Sequence, residues 1–171
     1  MDIFCEYMVK REKGAKELLK TVGIIVAAIL LSGIFFLFNY YLLGLGLLLI
    51  AGCWYGAYWL ISRFNIEYEY IVTSTILDID KIMARRSRKR ILSIDLKEIN
   101  ACQPAGNMPE QQGLKVIDAT PRGIEDGVYA IDFDKNGMKN CLLIKPSKKM
   151  LTQMKKASPS LVTLRPEDIE R

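Results

Sequence analysis

VGIIVAAILLSGIFFLFNYYLLGLGLLLIAGCWYGAYWLI, residues 22–61, runs for forty positions without Asp, Glu, Lys or Arg. As one helix, rising about 1.5 Å per residue, it would reach roughly 60 Å, twice the hydrocarbon core of a bilayer. A hairpin of two membrane helices is the economical solution. Asn39, Tyr40 and Tyr41 supply a turn in the middle, since Asn favours turns and the tyrosine rings suit the headgroup level. The predicted spans are 22–38 and 42–61, each close to the roughly 20 residues needed to cross.

Lys and Arg orient this hairpin. Lys10, Arg11, Lys13, Lys16 and Lys20 precede the first span and Arg63 follows the second, whereas the turn carries none. By the positive-inside bias both termini face the cytoplasm. A cleaved signal peptide fits the first span less well, because its apolar stretch exceeds roughly 7–15 residues and no A-x-A site follows it.

Around the hairpin, the sequence divides into residues 1–20, the membrane region 21–61, and residues 63–171. In the first part Ile3, Phe4, Tyr7, Met8, Ala15, Leu18 and Leu19 recur at helical spacing. Glu6 and Lys10, like Glu12 and Lys16, stand an i,i+4 step apart. This predicts an amphipathic N-terminal helix, lying in the inner interface or packed on the rest of the protein. Within the membrane region, Gly52-x-x-x-Gly56, Gly23-x-x-x-Ala27 and Ala28-x-x-x-Ser32 place small residues one turn apart. Such faces let helices approach closely, either within the hairpin or between two copies as a homodimer.

Beyond Ile61 the period changes to two. IEYEYIVT, residues 66–73, sets Ile66, Tyr68, Tyr70 and Val72 on one face and Glu67 and Glu69 on the other, the alternation of a half-buried strand. ILDIDKIM, residues 76–83, is a second strand after a turn near Ser74. Further strands are expected at 90–95 continuing to 102, then at 114–120, 128–134 and 138–145. The stretch 104–113 reads as a polar loop. PSKKMLTQMKK opens a helix at 146–157, with Met150, Leu151 and Met154 as its apolar stripe and Pro159 beyond its end.

Six or seven antiparallel strands closed by one C-terminal helix resemble the pleckstrin-homology-like fold, a bent β sandwich or barrel capped by a helix. More narrowly, NIEYEYIVTSTILDIDKI followed by RRSRKR, together with the MDIFCEYMVKREK start, is similar to an uncharacterised bacterial family. Its members are short two-span membrane proteins with a cytoplasmic PH-like domain. The resemblance implies a membrane α-helical hairpin joined to a mainly β domain in the bacterial inner membrane, with no implied reaction. A glycine turn is expected after Thr73, where this chain has Ser74 and Thr75.

The chemistry of the residues points the same way. The absence of His removes the commonest general base and the Ser–His and Cys–His pairs, and no phosphate-cradling glycine loop is present. Carboxylates recur as Asp78 with Asp80 and Asp132 with Asp134, an ordinary pattern on an exposed strand that could in principle hold Mg²⁺. Asp132 to Gly137 matches the start of a calcium loop, but its twelfth position is Leu143, and Asn136-Gly137 suits a hairpin tip. The four cysteines show no C-x-x-C spacing. No enzyme, metal or cofactor is expected.

The net charge is +5, and Arg85, Arg86, Arg88, Lys89 and Arg90 concentrate basic charge in one turn. With the first strand leaving the membrane and the second returning, that turn is expected at the inner leaflet, where each basic residue contributes about 1 kcal/mol against anionic lipid. The same run could be a topology signal only. No recognition helix or RNP-like motif supports nucleic acid. The sequence therefore predicts a membrane-anchored interaction module that binds a protein partner or anionic lipid. The other reading is an oligomeric membrane element, a small pore or accessory subunit, assembled through the second span.

Overall fold

The computed structural model describes residues 4–41, 44–107, 114–123, 125–135 and 137–168. The chain forms two compact units, and the divide is not the linear one the sequence suggests. One unit comprises Met1–Glu12, Glu67–Ile82 and Ser87–Arg171; the other comprises Lys13–Ile66 with Met83–Arg86.

The first unit is a β domain of two four-stranded sheets. β1 (Phe4–Lys10), β2 (Ile66–Thr73), β3 (Ile76–Met83) and β4 (Ser87–Asp95) lie in that order in one sheet. β5 (Ile99–Pro104), β6 (Lys115–Asp118), β7 (Tyr129–Lys135) and β8 (Met138–Ile144) make the other, ordered β5-β7-β8-β6. Tyr70, Val72, Leu77, Ile79, Tyr129, Ile131, Leu142 and Ile144 are fully buried and line its core. A C-terminal helix, Lys148–Ala157, adds Met150, Leu151 and Met154 to that core and packs against β1. Ser147 caps this helix by accepting a hydrogen bond from the Met150 amide at 3.3 Å, so the expected start at residue 146 moves two residues along.

Residues 4–10 form a strand where an amphipathic helix was expected. Cys5, Tyr7 and Val9 face inward at period two, opposite Val72, Tyr70 and Tyr68 of β2. Cys5 and Val9 are buried, and the Tyr7 ring lies 6.3 Å from that of Tyr70. The exposed residues Phe4, Glu6, Met8 and Lys10 occupy the other face. The same apolar residues fit either period over so short a run, and the open edge of β2 decides in favour of the strand.

This pairing means that the apolar hairpin is inserted within the β domain, between two hydrogen-bonded neighbours. Lys10 pairs with Glu67, so the chain leaves and re-enters the sheet at adjacent positions. The domain therefore begins at β1 and resumes at β2; it does not begin at residue 63.

Eight strands are present, not six or seven, and one pair is parallel. The predicted continuous stretch 90–102 breaks at a turn in which the Asp95 carboxylate accepts from the Lys97 amide at 3.0 Å and Leu96 is buried. β6 runs parallel to β8, with Lys115 opposite Asn140 and Asp118 opposite Leu143. Asp118 ends it by accepting from the Thr120 amide and hydroxyl at 2.9 and 2.6 Å. Lys135 pairs with Met138 at the β7–β8 tip, and Gly137 takes a left-handed φ of 72°, so the flanks of the Asp132–Gly137 run are strands. Pro104 is the buried end of β5, and most of the predicted loop that follows, residues 108–113, lies outside the described residues.

The second unit is an antiparallel pair of helices, α1 (Ala15–Leu37) and α2 (Leu45–Ser62). Both are long and apolar enough to cross a membrane, with mean hydropathies of 2.3 and 1.5. Only 6% and 11% of their most apolar windows are buried, which distinguishes them from the core helices of a soluble protein. α1 begins seven residues before the expected span, because Lys16, Glu17 and Lys20 are themselves good helix formers that extend its polar start. The turn between the helices is wider than Asn39–Tyr41; Leu42 and Leu43 lie outside the described residues.

The seam of this hairpin is a narrow stripe. Ile24, Ala28, Ser32, Phe35 and Asn39 on the first side, and Gly46, Ile50, Cys53 and Ala57 on the second, are the less exposed positions. Ala28, Gly46 and Ala57 are the buried ones. A Cβ on Gly46 would stand 2.6 Å from Asn39 Oδ1 and 2.7 Å from the Phe35 carbonyl oxygen. That glycine, absent from the sequence-based list, is where the two backbones come closest.

Candidate functional site

The basic run divides between the two units. Arg85 and Arg86 belong with the hairpin; Arg88, Lys89 and Arg90 belong to β4 in the β domain.

Arg85 and Arg86 sit in a tight turn, where the Arg86 amide donates to the Met83 carbonyl at 3.0 Å. Both central residues are left-handed, Ala84 with φ 53° and Arg85 with φ 55°. Asn-Gly is the usual pair at such positions, and each non-glycine residue there costs about 1–2 kcal/mol. The turn is held by the Ala84 amide, which donates to the carbonyl of Asn65 at 2.8 Å, three residues beyond the end of α2. Lys13, Lys16 and Lys20 at the start of α1, and Arg63 at the end of α2, lie at the same end of the antiparallel pair. Arg63 rests its guanidinium 3.7 Å over the Trp59 ring. The opposite end carries Phe38, Asn39, Tyr40 and Tyr41, with the Tyr40 and Tyr41 rings edge to face at 5.8 Å.

On β4, the two arginines are committed to carboxylates of β2 and β3. Arg88 donates through Nε to Asp80 at 2.7 Å and pairs with Glu69. Arg90 donates through Nε to the other oxygen of Asp80 at 2.9 Å and reaches Asp78 at 3.1 Å. The Asp80 and Glu69 side chains are only 4% and 6% exposed, so the expected solvated face of Glu67, Glu69, Asp78 and Asp80 is in fact largely covered. Burial pushes the Asp80 carboxyl up, but hydrogen bonds from Arg90 and Arg88 outweigh it and hold the group below its usual range. Glu69 is displaced upward, by burial first and then by its hydrogen bond with Glu6 of β1, against the pull of Arg88. Lys89, between the two arginines, is exposed.

The sign of the Asp80 contribution follows from its lowered value. Its stabilisation is present above the ordinary carboxylate value and is lost as pH falls through the lowered one. Glu69 acts in the opposite sense, its contribution fading as pH rises through its raised value. Asp80→Asn should therefore cost about 1–2 kcal/mol at neutral pH, the scale of lost charge-assisted hydrogen bonds, and should flatten the acid limb of stability. Thermal unfolding of the full chain in micelles across the acid range checks both; an unchanged acid limb would remove Asp80 from the account.

Of the residues expected to pack helices, Gly23 and Gly52 have open space where a Cβ would lie, and so has Gly56. Ala27 and Gly56 line a shallow apolar groove beside the seam, with Ile24, Leu31, Cys53 and Leu60. The hairpin thus closes on Ala28, Ala57 and Gly46, one turn or more away from the glycine motif the sequence brings forward. Gly46 could have been found from its place, since a glycine just past a helix turn lies where two antiparallel helices converge.

The cysteines of the β domain are inert in character: burial pushes the Cys102 and Cys141 thiols up to about 12. Among the described residues, no three His, Cys, Asp or Glu side chains are grouped to hold a metal ion.

No curated protein and no solved structure matches the chain. A family model does, over residues 1–164, and it takes in the strand before the apolar hairpin as well as the two sheets and helix after it. The chain belongs to the family described as bacterial PH-like domain (DUF6106).

Proposed function

We propose that this protein is a non-catalytic interaction module anchored in the bacterial inner membrane, with both ends of its hairpin on the cytoplasmic side and its basic turn at the anionic leaflet. One observation carries the reading: Lys13, Lys16, Lys20 and Arg63 share one end of the helix pair, and the Arg85–Arg86 turn is bonded to Asn65 at that end. Positive charge marks the inner side of a span, and each such residue contributes about 1 kcal/mol near anionic lipid. Arg88 and Arg90 already face carboxylates, so the lipid contact rests on Arg85, Arg86 and the hairpin's own cations. The β domain, held by short connections at residues 11–14 and 63–65, then presents its sheets to a protein partner. A second reading, self-association through α2, draws on the open space beside Gly52 and Gly56 that the hairpin leaves unused.

Hydrogen exchange on the full chain in nanodiscs tests the lipid contact. Amides of residues 84–87 should exchange several-fold more slowly in anionic than in neutral bilayers, and Arg85→Asn with Arg86→Gln should abolish the difference. Asn tolerates the left-handed position, so the turn itself is preserved. Equal exchange in the two lipids for the unmodified chain would leave the basic run as a topology signal alone.

A further inference from the structure

We propose that the edge of β5 is a recognition groove for an extended peptide and that the chain's own C-terminal segment occupies it in cis. β5 is the first strand of its sheet, paired to β7 on one side only. On the other side the segment after the C-terminal helix adds a short parallel stretch. The Cys102 amide donates to the Leu161 carbonyl and the Thr163 amide donates to the Cys102 carbonyl, both at 2.8 Å, with Val162 bridging Cys102.

The segment has the features of a bound peptide. Val162 is completely buried, whereas Pro159, Ser160, Thr163, Pro166 and Glu167 are exposed and Leu161, Leu164 and Arg165 are half-buried. A single small apolar side chain is therefore its anchor. Main-chain bonds to β5 do not depend on sequence, so a strand from another protein can replace them one for one. The remaining contacts lie toward the end of the segment. Arg165 stands 5.9 Å over the Tyr129 ring, pairs with Asp126, and donates its amide to the Tyr129 hydroxyl at 3.2 Å; Asp168 accepts from that hydroxyl at 2.6 Å. Lys155 donates to the carbonyls of Pro159 and Val162 at 2.5 Å each.

The hinge is also defined. Ser158 stays with the domain, its hydroxyl donating to the Leu96 carbonyl at 2.5 Å and its amide to the Met154 carbonyl at 3.0 Å. Everything after it can leave without breaking a strand or uncapping the helix. The partner this groove fits is an extended segment with a small branched apolar residue followed three positions later by Arg, the spacing of Val162 and Arg165.

Two measurements on the full chain in micelles test this together. In native-state hydrogen exchange the Thr163 amide should exchange at least about tenfold faster than those of Ile131 and Leu142, because the segment opens locally. A labelled synthetic peptide, SPSLVTLRPED, should bind the unmodified chain weakly and Arg165→Ala about tenfold more tightly, since that change loosens the occupant. The same peptide with Asp in place of its Val should not bind. Exchange of Thr163 only by global unfolding overturns the proposal, as does failure of the peptide to bind Arg165→Ala. A shift of Arg165→Ala to a dimer without peptide binding also overturns it, and assigns the groove to a second copy's tail.

Discussion

Gly46→Leu should prevent α1 and α2 from closing into a hairpin, while Gly52→Leu, six residues along the same helix, should be tolerated. The contrast comes from what a side chain would meet. At Gly46 the first added carbon stands 2.7 Å from the Phe35 carbonyl oxygen, a backbone atom that cannot swing aside, and 2.6 Å from Asn39 Oδ1. Nothing stands within 4 Å at Gly52. Forcing a bulky residue into a closed seam costs about 1–3 kcal/mol and more when backbone must move. In a helix pair with no hydrophobic drive between its members, close packing is most of what holds it. The measurement is disulfide trapping between cysteines placed at Ala28 and Ala57, the two buried alanines of the seam. Efficient trapping in Gly52→Leu and loss of trapping in Gly46→Leu are expected. The reverse order would move the seam to the glycine motif.

The second large effect concerns where the β domain begins. A chain in which residues 13–65 are replaced by a linker of about three to five residues should fold into a water-soluble domain, because Lys10 and Glu67 are already opposite each other and a hairpin loop of that length joins such a pair. Residues 63–171 alone should not. They lack β1, and with it the burial of Cys5 and Val9, the Tyr7–Tyr70 contact and a seven-residue ladder along β2. Burying two such side chains contributes about 1.5–3 kcal/mol each, a large share of a domain's total of roughly 5–15. The open edge of β2 would also invite aggregation. Amide dispersion in NMR spectra and thermal unfolding distinguish the two chains. A cooperative transition of residues 63–171 at the temperature of the linked domain would show that β1 is an accessory strand.

This second prediction reverses what the sequence suggests, and the reason is specific. FCEYMVK holds apolar residues that satisfy a period of 3.6 when read onward into Ala15, Leu18 and Leu19, and a period of two when read alone. Its neighbour in space lies more than fifty positions away, and no local pattern encodes that. IEYEYIVT and ILDIDKIM, by contrast, became β2 and β3 with the boundaries their alternation gives. The turn between them has no glycine, yet it closes because Ser74 itself takes a left-handed φ of 55°. The basic run was legible as charge and not as a site. Arg88 and Arg90 alternate onto the strand face that holds Glu69, Asp78 and Asp80, and only strand pairing brings those groups together.

By itself the sequence determined whatever is carried by local periodicity: the uncharged block and its division into two helices, the alternation of β2 and β3, and the apolar stripe of the C-terminal helix. Each is a property of residues a few positions apart, where backbone geometry imposes the period. The tertiary structure alone decided that the hairpin interrupts a sheet, that Glu69 and Asp80 are covered by arginines, that Gly46 is the point of closest approach, and that the tail lies along β5. Each of those depends on which distant strand edge or backbone carbonyl arrives beside a residue, and that is set by the burial of the whole core.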